Sequence, residues 1–218
     1  MSIATAVFGP AWTTDTVDPA PVGALLLHGY GADEHDLTGL SAHLPAGLPW
    51  VSPRGPLDLP TGGAAWFPIT TPGDPTAGHV AAGTLALWDW IDATLPAGAR
   101  IIPIGFSQGG VLATQLLRTR PERIAGIAVL SGFVQGAEQP ADDLLATARP
   151  PAFWGRGDRD HVITQAAIER TRLWLPRHTT LVERVYPQLG HAIADVELAD
   201  LTAFLDGVVA SVAQTAAR

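Results

Sequence analysis

The segment RIIPIGFSQGGVLATQLLR, residues 100–118, leaves the chain little freedom. A β-branched, apolar run meets a helical pattern with no linker between them, and Gly105, Ser107, Gly109 and Gly110 crowd the junction. In so tight a strand-to-helix turn the serine is driven into a strained backbone conformation that lifts its hydroxyl above the sheet. Side chains at 105 or 109 would strike the adjoining strand and helix. The turn also sets Ser107 at a helix N-terminus, where free N–H groups and the helix dipole favour negative charge. A glycine-rich chain can produce G-x-S-x-G by chance. Its place at a strand end, with a helix following at once, is what gives this match meaning.

The rest of the chain repeats that alternation. VGALLLHG (22–29), PWVSP (49–53), RIIPIG (100–105), RIAGIAVLSG (123–132), PAFWGRG (151–157) and TTLVERVYP (179–187) are short and mostly apolar, as strands buried on both faces are. Between them lie helical patterns over about 34–44, 77–95, 108–118, 163–174 and 194–213. The last places Leu198, Leu201, Phe204, Leu205, Val208, Val209 and Val212 on one stripe. This rhythm predicts an α/β fold: an open, mostly parallel sheet, right-handed crossovers, helices on both faces, and ligands beyond the C-terminal strand ends. Residues 3–17 suggest an extra edge hairpin around Gly9 and Pro10. With no repeat, low-complexity tract or composition break, a single domain over 1–218 is expected.

Composition narrows the chemistry. Hydrophobic residues make up 47% and charged residues 16%, enough apolar surface for a packed core. A net charge of −8 with no basic run argues against nucleic acid and anionic membrane surfaces as partners, and for small neutral molecules. The lack of cysteine removes disulfides, thiolate metal sites and a thiol nucleophile together. No basic N-terminal leader precedes an apolar block, and no run reaches the roughly 18 apolar residues of a membrane span, so a cytoplasmic location is expected.

A serine hydroxyl is a poor nucleophile at neutral pH and needs a base oriented by an acid, here in the chain order serine, acid, histidine. FWGRGDRDHVI (153–163) is a strand end entering a turn with Asp158 and Asp160. Asp160, just ahead of the next helical segment, is favoured as the acid; Asp158 reads as a residue that shapes the loop through backbone hydrogen bonds. In YPQLGHAIAD (186–195), His191 occupies a short loop between the last strand and the last helix, a natural place for the base. His161 adjoins Asp160 and should point away from it, and His178 precedes a strand and so sits at the wrong end of the sheet.

LLLHGYGADEHDL (25–37) is a strand entering a glycine turn in which the Tyr30 N–H, with that of Gln108 after the nucleophile, can face one oxyanion. Read as a dinucleotide fingerprint, the same stretch fails: Glu34 stands where glycine or alanine is needed. Asp33, Glu34, His35 and Asp36 are expected to be a solvated first helical turn complementing the dipole, not a metal site.

Taken together, LLLHGYGADEHDL, VSPRGP, AAWF, GFSQGG, LSGF, GDRDHVI and GHAI resemble, in order and approximate spacing, the phospholipase/carboxylesterase family of α/β-hydrolases. That group includes acyl-protein thioesterases and small bacterial carboxylesterases. The resemblance covers nearly the whole chain. It implies an α/β-hydrolase fold without a large lid domain, no cofactor, a triad of Ser107, Asp160 and His191, and an oxyanion hole of Tyr30 and Gln108. It further implies pairing as a homodimer, which is frequent in the family. Thioesterases of the group usually carry leucine where Tyr30 stands, which points toward a small ester hydrolase rather than protein deacylation.

Residues 54–76, RGPLDLPTGGAAWFPITTPGDPT, form a long Pro/Gly-rich loop without period, and loops of this length are usually functional or disordered. Trp66, Phe67 and Phe133 either wall a substrate pocket or pin the loop to the surface. The expected substrates are neutral esters of short to medium acyl chains. Lysophospholipid or thioester hydrolysis, acyl transfer and peptidase activity use the same machinery and stay open. A binding protein on this scaffold would have no use for serine, acid and histidine together.

Overall fold

A computed structural model describes residues 2–12, 21–60 and 62–216. Its strands are Ala6–Phe8 (β1), Val22–Leu27 (β2), Trp50–Pro53 (β3), Leu57–Asp58 (β4), Ala64–Ala65 (β5), Arg100–Phe106 (β6), Ile127–Leu130 (β7), Pro151–Gly157 (β8) and Thr180–Tyr186 (β9). Its α-helices are Ala77–Thr94 (α1), Gln108–Thr119 (α2), Asp142–Ala148 (α3), Gln165–His178 (α4) and Asp195–Ala216 (α5).

Seven strands form one sheet in the order β1-β3-β2-β6-β7-β8-β9. All neighbours run parallel except β1, which pairs antiparallel with β3. The alternation of side chains along each strand divides the core in two. Leu25, Leu27, Ile101, Ile127, Val129 and Trp154 point to the face covered by α1, α2, α3 and α4. Ala24, Leu26, Ile102, Ile104, Ala128, Leu130 and Phe153 point to the face covered by α5 and residues around Leu37–Leu40. Both faces of β2, β6, β7 and β8 are buried, which is why those strands read as nearly continuous apolar runs, while the edge strands β1 and β9 keep exposed residues. After β2 the chain steps outward to β3, then returns to build the other half from β6. The point of reversal between β2 and β6 opens a crevice at their C-terminal ends.

Three expectations change. Residues 34–44 are not an α-helix: they form turns and a 3₁₀ segment, Thr38–His43. Thr38, Gly39 and Ser41 propagate a helix poorly, and Pro45 ends it. The N-terminal segment contributes β1 as an edge strand against β3 rather than half of a local hairpin; positions 13–17 of that expected hairpin lie outside the described residues. The 54–76 loop carries a two-stranded ribbon, β4 with β5, too short to leave a period in the sequence. Helix α3 was also not foreseen; Asp142 and Asp143 open its first turn and Arg149, at φ 46°, closes it.

Candidate active site

The turn after β6 takes the shape its glycines require. Ser107 sits at φ 53°, ψ −113°, a conformation that non-glycine residues adopt only when the surroundings force it. Its N–H donates to the Leu130 carbonyl at 2.9 Å, and its carbonyl accepts from Gly110 at 3.0 Å as α2 begins. A Cβ at Gly105 would overlap the Gly109 carbonyl, and one at Gly109 would overlap that of Leu27. The crossing of strand, helix and neighbouring strand therefore admits only hydrogen at these two positions.

Residues from the ends of β8 and β9 complete a row with the serine. His191 Nε2 lies 2.9 Å from Ser107 Oγ, and His191 Nδ1 lies 2.7 Å from Asp160 Oδ2. Since the carboxylate only accepts, Nδ1 carries the proton, leaving Nε2 to accept from the hydroxyl. The other oxygen of Asp160 accepts from the N–H groups of Val162 at 2.9 Å and Ile163 at 3.2 Å, and the side chain is 3% exposed. Both oxygens are thus tied, one to the turn and one to the imidazole. The His191 ring rests on Phe106, centroids 4.9 Å apart. A Cβ at Gly157 would overlap the Leu189 carbonyl, so that glycine lets the histidine loop close onto β8. Asp158 does different work: its Oδ1 accepts from the Gln188 N–H at 2.7 Å and fixes the same loop from the outside. His178 stacks on Trp174 at 4.2 Å, away from this row.

The glycine turn after β2 lies alongside. A Cβ at Gly29 would stand 3.6 Å from that of Ser107. Among the described residues the Tyr30 and Gln108 N–H groups donate to no protein acceptor, while the Gly31 N–H is taken by Ala64 at 2.9 Å. His28 anchors the turn from beneath. It is buried, and desolvation lowers its pKa, keeping the imidazole neutral. Its Nε2 accepts from Gly55 N–H at 2.9 Å, so Nδ1 is the protonated nitrogen and donates to the Gly29 carbonyl at 2.7 Å. Asp33 and Glu34 do not open a helix; Glu34 instead pairs with Arg54 at 3.3 Å and accepts from Thr5 at 2.8 Å.

Gln108 also has a side-chain role that its sequence position did not disclose. Its Oε1 accepts from the Trp66 N–H at 2.8 Å and its Nε2 donates to the Phe67 carbonyl at 2.7 Å, latching the long loop to the elbow. The three aromatics divide accordingly. Trp66 is wholly buried, lies 5.0 Å from the His28 ring and donates to the His28 carbonyl at 2.9 Å; it pins the loop and does not line the cavity. Phe67 and Phe133 do line it. The cavity, about 280 Å³, opens beside Ser107, with Ile69, Val111, Val162 and Ile163 as further apolar walls and Thr71–Pro75 along one side. Those further wall residues were not foreseen: Ile69, Val162 and Ile163 are scattered apolar loop residues that carry no periodic signal, and Val111 in α2 reads as an ordinary core position. Among the described residues no cluster of side chains suited to hold a metal ion occurs, and no helix is long and apolar enough to cross a membrane.

A strained serine at a strand-to-helix turn, with a histidine and a buried carboxylate from later strands of a mostly parallel sheet, defines an α/β-hydrolase. More narrowly, the family model described as Phospholipase/Carboxylesterase matches residues 16–209, and the chain belongs to that family. Acyl-protein thioesterase 1 of Mycosarcoma maydis is 32% identical over 121 residues, 50% of this chain and 48% of that protein. Acyl-protein thioesterase 1 of Cryptococcus neoformans var. neoformans is 26% identical over 216 residues, 83% of this chain and 90% of that one. The chain spans about half or less of the length of most curated relatives it matches. The carboxylesterase of Bacillus cereus shares the fold, with a TM-score of 0.77 at 22% identity over 93% of each chain. Esterase PE8 superposes with a TM-score of 0.73 at 25% identity, covering 95% of this chain and all of that one.

Proposed function

We propose that the protein hydrolyses carboxylic esters through an acyl-enzyme on Ser107. The observation that carries this reading is the unbroken row from Ser107 Oγ through both nitrogens of His191 to Asp160, at 2.9 and 2.7 Å. As Ser107 Oγ attacks the ester carbonyl carbon, His191 Nε2 takes its proton, and Asp160 stabilises the imidazolium while staying ionised. The carbonyl oxygen, now an anion, receives the Tyr30 and Gln108 N–H groups; one such donor typically contributes about 3 kcal/mol to lowering the barrier. Collapse breaks the bond to the alkoxide, which leaves with the proton from Nε2. Water then attacks the acyl-enzyme by the same route and releases the acid.

The apolar cavity of about 280 Å³ beside Ser107 supports short to medium acyl chains and neutral substrates. The test is labelling by a fluorophosphonate and turnover of p-nitrophenyl esters of increasing chain length, in wild type and Ser107→Ala. Both signals should vanish in the variant; a variant that keeps turnover overturns the proposal. Thioester hydrolysis is a second reading, supported by the names of the thioesterase relatives. Matched oxygen esters and thioesters of one acyl group, compared by kcat/KM, decide between them.

A further inference from the structure

The side of the cavity formed by Thr71, Pro72, Gly73 and Pro75 has little structure of its own. Within that stretch the bond from Asp74 N–H to the Thr71 carbonyl at 3.2 Å is the one backbone hydrogen bond, the Thr70 and Thr76 hydroxyls meet at 3.1 Å across its base, and Thr70, Thr71 and Pro72 are exposed. What holds it comes from α4, far away in sequence. Arg170 donates through one terminal nitrogen to the Gly73 carbonyl at 2.6 Å and through Nε to the Val134 carbonyl at 2.7 Å. Its guanidinium carbon lies 5.8 Å from the centre of the Phe133 ring, which also lines the cavity. Thr171, the next residue, accepts from the Val134 N–H at 2.9 Å. Gly73, at φ 72°, is seated so closely on Thr164 that a Cβ would overlap the threonine hydroxyl. One planar group thus joins two segments of the cavity wall, Gly73 and Phe133–Val134, from outside the lining itself.

We propose that Arg170 is the positioning residue that sets the separation of these walls and thereby the selectivity of the site for acyl-chain length. The proposal rests on the ester-hydrolase reading above. A rigid guanidinium fixes two carbonyls at a defined spacing, which a flexible ammonium with a single point of charge does less well. Without it the Thr71–Pro75 wall loses its long-range tether, and a chain long enough to lie along that wall loses its contacts. An acetyl group, confined near Ser107, loses nothing.

The experiment compares wild type, Arg170→Met and Arg170→Lys by two readouts. In hydrogen exchange, the Asp74 amide, the one in this stretch that donates to a backbone carbonyl, should exchange about tenfold faster in Arg170→Met, with Arg170→Lys between. In kinetics, KM for p-nitrophenyl hexanoate should rise about tenfold in Arg170→Met with kcat within about threefold of wild type, while both constants for the acetate stay within about twofold. Unchanged exchange, or equal loss on acetate and hexanoate, overturns the proposal. If Arg170→Met does not fold, Arg170→Lys must show the same pattern at smaller amplitude, and its absence is equally fatal. A wild-type protein that neither turns over esters nor takes up a fluorophosphonate sinks the hydrolase reading instead, and exchange alone then decides whether Arg170 holds the wall.

Discussion

Glu197 in the first turn of α5 offers a test of stability that is independent of catalysis. Its side chain is fully buried, and neither carboxyl oxygen has a well-formed hydrogen bond, the Ala194 amide making only a weak approach. It presses on β8 so closely that a Cβ at Gly155 would overlap its Oε1. Desolvation, with a smaller contribution from the charge of Asp200, pushes its carboxyl up from 4.5 to about 7, against the opposing pull of the Ala194 amide. The folded protein therefore holds a proton that the unfolded chain releases above pH 4.5, so stability falls as pH rises and the loss is complete above pH 7. At about 1.4 kcal/mol per pH unit, the interval from 4.5 to about 7 gives a loss of about 3 kcal/mol. Glu197→Gln keeps the shape and removes the ionisation. Relative to wild type it should be nearly neutral at pH 5 and more stable at pH 8, by an amount worth on the order of 10 °C in Tm for a chain of this size. Calorimetry or urea melts at the two pH values measure the difference. An advantage of the same size at both, or none at pH 8, would refute the assignment of a buried, unpaired acid.

The two aspartates of the β8 turn should separate cleanly. Asp160→Asn should lower kcat by about 10⁴, the scale of the corresponding change in serine proteases, while Asp158→Asn should leave kcat within a few-fold and lower thermal stability by about 1 kcal/mol through the weakened bond to Gln188; reversed kinetics would move the acid to Asp158. Gly109→Ala should cost at least about 3 kcal/mol, because the new methyl meets the Leu27 carbonyl, a backbone group that cannot step aside. A variant melting near wild type would show that the elbow is looser than its geometry implies.

The parts of the site that could be read from the sequence are those where one residue type at a strand end already restricts the chemistry. Ser107, Asp160 and His191 each follow a well-marked apolar run, so the parallel sheet that those runs predict brings them to one edge. Trp66 was ambiguous because an aromatic in an aperiodic loop looks the same whether it faces a ligand or, as here, a buried imidazole. The Arg170 contact was invisible for another reason: it joins positions 97 apart through a backbone carbonyl, and carbonyls are common to every residue. Over 34–44 the apolar spacing points to a helix, but the glycine and serine inside it leave only a 3₁₀ segment. Helix α3, with Leu145 its one buried side chain, is too short to show a stripe.

Gln108 belongs to two structures at once. Its main chain starts the helix behind Ser107, and its carboxamide fastens the wall segment at Trp66 and Phe67. Reshaping the pocket by swapping that segment would therefore disturb the elbow as well, so new substrate preference and undiminished turnover should be hard to obtain together. Libraries that spare 66–67 and vary the opposite rim escape this linkage.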